Sequence, residues 1–146
     1  MSLITDIADA VVTELNSAPP GTFSQPLVAQ RHYRPEFDLA TLKDVKVSVV
    51  PKAISISGAA RGINQHDVSI DVAVQKKVAA PDNIAELDGL MLLVEQIGEL
   101  FRLRRLAAVP GAIWSGTENA PVYSPEHLES KQVFTSVLTL TFRVLK

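Results

Sequence analysis

The chain has no cysteine among its 146 residues. Disulfide bonds and thiolate metal sites are therefore excluded. Aromatic residues are also scarce, at 5% of the sequence with a single tryptophan. Charged residues interrupt the most apolar segment, residues 84–106, so its charge-free runs fall far short of the ~18 residues that a membrane-spanning helix needs. We expect no membrane span and, from the residues at the N-terminus, no signal peptide.

Charge of one sign is not concentrated in any part of the sequence. The formal net charge is −2, and the longest basic cluster lies at residues 102–105. Since counterion-driven nucleic-acid binding needs a concentrated basic face, specific binding of DNA or RNA is not expected. Apolar residues make up 47% and charged residues 21%, which is typical of a soluble globular protein. The length predicts one domain over residues 1–146, which we expect in the cytoplasm.

Two segments alternate between apolar and polar residues and predict strands with one buried face. In residues 132–146, apolar side chains occupy one parity: Phe134, Leu138, Leu140, Phe142 and Val144. In residues 66–77, the same alternation places polar side chains on the opposite face: Asp67, Ser69, Asp71 and Gln75. Because the first segment holds no glycine or proline, it suits a central strand.

Residues 45–57 predict a further strand with a bulge near Pro51, where the apolar parity changes. Before the bulge Val45, Val47 and Val49 share one side, and the other side carries Val50, Ile54 and Ile56. A glycine-containing loop at residues 58–64 then joins this strand to the next as an antiparallel hairpin. Weaker patterns predict a first strand at 27–34, a connector at 37–44 and a short edge strand at 113–118.

Helical periodicity appears at residues 2–17 and 83–105, with Ser2 as N-cap of the first helix and Asp82 or Asn83 as N-cap of the second. Ser124 and Pro125 predict one further helical turn. The second helix is apolar around most of its circumference, so either the first helix or another subunit is expected to cover it. The element order α-β-β-β-α-(β)-β predicts a two-layer α+β fold, with a mostly antiparallel sheet of about four to five strands flanked by two helices.

No arrangement of residues typical of catalysis is present. The three histidines, His32, His66 and His127, fall in different predicted elements and form no local pair of metal ligands. The sequence has no G-x-S-x-G elbow, and residues 58–62 lack the GK[ST] of a phosphate-binding loop. We therefore predict no catalytic, cofactor-binding or metal-binding residues and a protein that is not an enzyme.

Several stretches resemble one family of structural proteins. They are TENAPVYSPEHLESKQVFTSVLTLTF at 117–142, VSVVPK at 47–52, DVSIDVAVQKK at 67–77 and AELDGLMLLVE at 85–95. With the opening helix, they resemble the tail-terminator, or tail-completion, proteins of tailed phages and prophages. The resemblance spans nearly the whole chain, and its motifs are structural rather than catalytic.

This resemblance implies a virion protein that forms a homo-hexameric ring on the last ring of the tail tube. Such a ring stops tube polymerisation, meets the tube protein on one side and the head–tail connector or neck protein on the other, and lets DNA pass without specific binding. The ring assembles in the host cytoplasm and then belongs to the tail or neck of the virion. The resemblance implies no cofactor and no membrane contact.

Two loops are candidate interfaces between subunits, and one strand face is a candidate channel wall. The interface candidates are Gly58, Arg61, Gly62 and Ile63 in the hairpin loop, with Trp114 and Tyr123 in the long segment after the second helix. Asp67 and Asp71 are candidates for the wall, where carboxylates would repel DNA phosphate; a merely solvated sheet face is the alternative. Two other functions stay open: another head–tail joining or tail-tube protein, and a small α+β enzyme or ligand-binding domain.

Overall fold

The chain begins with a helix and continues through a hairpin to a last, long strand, in the predicted order. A computed structural model describes residues 2–33, 43–80, 82–120 and 122–146. The connector predicted at 37–44 lies mostly outside these residues. The elements are α1 (Leu3–Asn16), β1 (Val28–Arg31), β2 (Lys46–Ala60), β3 (Ile63–Lys77), α2 (Ile84–Phe101), β4 (Ile113–Asn119), α3 (Pro125–Lys131) and β5 (Val133–Leu145).

The strands form one sheet in the order β1-β2-β3-β5-β4. Only the pair β1 and β2 is parallel, and the other three pairs are antiparallel. The central strand β3 pairs with β5 from Gln65 opposite Leu145 to Lys77 opposite Val133. The predicted α+β class, with a mostly antiparallel sheet, is therefore confirmed.

The core lies on one face of this sheet. A single hydrophobic cluster joins the apolar stripes of α1 and α2 to the apolar parity of β3 and β5. At its centre the rings of Phe101 and Phe142 meet edge to face, with centroids 6.3 Å apart and planes at 81°. Both rings are fully buried, so they unite helix and sheet by burial as well as by the favoured aromatic geometry.

The bulge near Pro51 is confirmed, but the predicted side of two residues, Ile54 and Ile56, is wrong. Val50 lies opposite Asp71, whereas Ile54 lies opposite Val68. Val50 and Ile54 therefore point to opposite faces of the sheet. The register shift between Pro51 and Ala53 adds one residue to β2, and one extra residue reverses the parity of everything that follows.

The hairpin loop is shorter than predicted. The ladder of β2 and β3 runs to Ala60 opposite Ile63. The turn consists of Arg61 and Gly62, and Gly62 adopts a φ of 78° that favours glycine. Most of the predicted loop at 58–64 is thus strand.

The second helix ends four residues before its predicted limit at 105. The last helical residue is Phe101, and Leu103 then takes the left-handed conformation with a φ of 59°. The side chain of Arg104 turns back to donate from Nε to the carbonyl oxygen of Leu100 at 2.8 Å. A bridge between Arg105 and Ile113 brings the following chain to β4. The helical periodicity at 102–105 was thus overridden by a tertiary contact.

Candidate subunit interface

The distal half of the β2–β3 hairpin is exposed along its whole length. Every residue from 52 to 64 is exposed, and we call this segment the hairpin arm. Its apolar side chains have large exposed fractions: Ile54 41%, Ile56 61% and Ile63 42%. Ile54 and Ile56 share the core-facing side of the sheet, whereas Ile63 has the parity of Gln65 and Asp67 on the other side. Single exposed apolar residues are ordinary on a protein surface, but two neighbours on one face form a small apolar patch of the kind found at interaction sites.

The register explains why these isoleucines are uncovered. Ile54 and Ile56 lie opposite Val68 and His66, so they continue the core-facing side of the sheet. Val68 is fully buried, whereas Ile56, two residue pairs further towards the turn than Ile54, is mostly exposed. The hairpin thus carries the apolar face of the sheet past the region that the helices cover.

The outer edge of the hairpin arm is also open. The short strand β1 pairs with β2 only as far as Arg31 opposite Val49. In the ranges that the structure describes, no strand lies beside residues 52–60 on that edge. Unpaired edges of this kind readily accept a strand or a side-chain donor from another chain.

The predicted interface residues fall at two ends of the sheet. Gly58, Arg61, Gly62 and Ile63 belong to the hairpin arm. Trp114 lies opposite Phe142 in β5, in the same row as Val68 and Ile54, and is therefore at the same end. The main chain beside Tyr123 bonds to Thr135, which pairs with Gln75 near the other end. The structure therefore brings the arm and Trp114 to one end and leaves Tyr123 apart.

Trp114 belongs partly to its own subunit. Its ring packs against the hydrophobic cluster, and Nε1 donates to Thr117 Oγ1 at 2.7 Å. It also borders an open depression of about 540 Å³. The residues that line it are Gly111, Ile113, Trp114, Ser115, Arg143 and Leu145. The exposed parts of Ile113 and Leu145 give this depression an apolar rim.

The two candidate wall residues share the polar face of the sheet, and both have partners. Asp67 accepts from Gln65 Nε2 at 2.9 Å and from Arg143 Nε at 3.2 Å. The hydrogen bond from Gln65, followed by the bond and charge of Arg143, lowers the pKa of Asp67. Asp71 accepts from Thr139 Oγ1 at 2.6 Å and lies 3.8 Å from Lys52 Nζ. The pairing leaves this face polar with little net charge.

Gln75 lies on the same side of the sheet as Asp67 and Asp71, as the alternation predicted, but it is not exposed there. Its side chain is fully buried. Among the described residues, neither its Nε2 nor its Oε1 has a hydrogen-bond partner. The alternation of apolar and polar residues predicted the side of the sheet on which Gln75 lies. It could not show that other parts of the chain bury the polar side at this end of the sheet.

One side of α2 stays exposed, and the helical periodicity of the sequence did not identify it. Asp88, Leu92, Glu95 and Glu99 are exposed and recur at helical spacing. Ile84 extends the stripe towards the N-terminus of the helix and is 71% exposed. We call these five residues the outer stripe of α2. The first helix does not cover this stripe.

The histidines play no joint role that the structure describes. The ring of His127 lies with Nδ1 3.1 Å from Thr135 Oγ1, beside the short helix α3. His66 belongs to the hairpin, opposite Ile56. Within the described ranges, no group of His, Asp and Glu side chains has an arrangement that could hold a metal ion. No helix in those ranges is long and apolar enough to cross a membrane.

Comparison of the chain with models of known protein families and with curated protein sequences finds no match. The interface candidates therefore rest on the exposed apolar residues, the open strand edge and the charges described above.

Proposed function

We propose that this protein is a structural, non-enzymatic subunit of a phage or prophage tail. In this proposal it is a tail terminator that assembles into a homo-hexameric ring on the last ring of the tail tube. The ring stops tube polymerisation, joins the tube to the head connector or neck protein, and lets DNA pass without specific binding. The protein then resides in the tail or neck of the virion.

The observation that carries this proposal is the exposed, apolar hairpin arm. Ile54, Ile56 and Ile63 would each lose water contact if a partner covered them. The open outer edge of β2 gives the same segment unpaired backbone groups to offer. A subunit that functions only in an assembly is expected to carry such a surface, and the resemblance of the sequence to tail terminators supplies the kind of assembly.

The polar face of the sheet is compatible with a channel wall. Asp67 and Asp71 are paired with basic and hydroxyl groups, and their face therefore presents neither a strong positive nor a strong negative charge. A wall of this kind does not hold phosphate groups, so DNA can slide past it. In the proposed ring, Asp67 and Asp71 would face the central opening.

Light scattering of the purified protein over a concentration series tests the proposal, with negative-stain images of the largest species. We expect a ring of six copies with an open centre, either from the free protein or after addition of tail tubes. A ring of another number, or copies stacked into tubes, would point to a neck or tail-tube protein. A protein that stays monomeric alone and does not bind tail tubes would refute the tail assignment.

A further inference from the structure

The two uncovered surfaces of one copy carry opposite charge. The hairpin arm contains Lys52 and Arg61 and no acidic residue. The helix α2 contains four acidic residues, Glu86, Asp88, Glu95 and Glu99, and no basic residue. Three of these four acids belong to the outer stripe. Each surface also has exposed isoleucine or leucine between its charges.

The charges on the two surfaces are largely unused within one copy. Among the described residues, Arg61, Asp88 and Glu95 form no ion pair. Lys52 is paired with Asp71 at 3.8 Å on the polar face of the sheet, away from Ile54 and Ile56. Glu99 is paired with Arg102 at the end of the same helix. Exposed charges with no partner in their own chain are free to select a partner on another.

The two surfaces also agree in length. The strand part of the arm, residues 52–60, spans about 26 Å at the usual rise of a strand. The 18 residues of α2 span about 27 Å at the usual rise of a helix. An arm laid along the outer stripe could therefore place Ile54 and Ile56 towards one end of the helix and Arg61 towards the other.

We propose that the hairpin arm of one copy docks along the outer stripe of α2 of the next copy. Ile54 and Ile56, which share one face of the arm, pack against apolar residues of the stripe, and Arg61 at the turn of the arm lies near its acidic residues. The contact joins two different patches, so it is heterologous and can be repeated around a closed ring. This inference rests on the proposed ring and names the surfaces that would build it.

Paired charge reversals test this contact in the full-length protein. The arm variant carries Arg61→Glu, and the helix variant carries Asp88→Lys and Glu95→Lys. Each variant alone places like charges together at every contact, so we expect the concentration needed for half-assembly to rise at least ~10-fold. The control, Glu126→Lys with Glu129→Lys on α3, makes the same change of net charge as the helix variant at exposed positions and should assemble normally.

Mixing the two variants gives the sharper result. In an alternating ring, the reversed arm meets the reversed helix and the unchanged arm meets the unchanged helix, so every contact is complementary. We expect the equimolar mixture to assemble at nearly the wild-type concentration, while each variant alone stays monomeric. Circular dichroism of each variant checks that the subunit is folded, and rescue in the mixture would itself require folded subunits.

The outcomes separate this inference from the proposed function. If wild-type rings form and both charge variants still form them at wild-type concentration, the ring stands and the docking is wrong. If the variants form rings but no longer bind tail tubes, the two surfaces meet the tube, and the docking is again wrong. If the wild-type protein neither forms rings nor binds tubes, the proposed function fails and this inference fails with it.

Discussion

Asn16, at the end of α1, is the residue whose removal should most directly test how helix and sheet are joined. Its side chain forms two hydrogen bonds with the main chain of Ala29 in β1. Nδ2 donates to the carbonyl oxygen at 3.0 Å, and Oδ1 accepts from the N–H at 2.9 Å. The amide thereby takes the place that a neighbouring strand would have on the outer edge of β1.

We expect Asn16→Ala to destabilise the fold by about 1.5 kcal/mol. The two hydrogen bonds contribute about 1 kcal/mol each, and Ala29 is almost fully buried, so its main-chain groups would lose their partners without gaining full hydration. The better helix propensity of alanine offsets about 0.5 kcal/mol of this loss. For a domain of this size, the midpoint of thermal unfolding should fall by about 3–6 °C.

Urea unfolding followed by circular dichroism measures this difference, and Thr13→Ala is the control. Thr13 lies on the same helix, and its side chain bonds only to the carbonyl oxygen of Asp9 in the exposed part of that helix. Its replacement should change the free energy of unfolding by less than about 0.5 kcal/mol. If Asn16→Ala is no more destabilising than this control, the side chain does not hold β1 to α1 as the geometry indicates.

Two further substitutions probe buried and exposed polar groups. Gln75→Met should stabilise the fold by about 1–3 kcal/mol in thermal unfolding, because it removes buried polar atoms that have no partner and keeps the length of the side chain; a loss of stability would show that Gln75 is hydrogen-bonded. Asp67→Asn should lower stability at pH 7. The pKa of Asp67 is lowered in the folded state, so its contribution is present above the ordinary aspartate pKa and is lost as the pH falls through the folded value. Wild type and variant should therefore converge in urea unfolding below about pH 4, and a constant difference across the acid range would contradict the pairing with Gln65 and Arg143.

Much of the fold followed from local patterns. The alternation in residues 66–77 identified the buried face of β3, and the final strand was found within one residue at each end. Ser2 and Ser124 are the N-caps of their helices, as predicted, and of the two candidates for α2 the structure selects Asn83 over Asp82. These features depend on neighbouring residues, and so they can be recognised without knowledge of the rest of the molecule.

The end of α2 and the candidate interface could not be found in this way. Helical periodicity continues past Phe101, and only the bridge from Arg105 to β4 shows why the helix stops. The hairpin pattern identified the loop with Arg61, but not that the strands continue to Ala60 and Ile63 or that Ile54 changes sides at the bulge. Tyr123 was grouped with Trp114 by its place in the sequence, and the sheet register separates them.

Local periodicity alone identified the types of the main elements and the apolar faces of β3 and β5. Tertiary structure decided which apolar residues stay exposed. Ile54 and Val68 lie opposite each other on the same face of the sheet. Val68 is nevertheless fully buried and Ile54 is exposed, because the hairpin extends beyond the region that the helices cover. Burial depends on which elements overlap in space, and overlap is set by contacts between residues far apart in the chain.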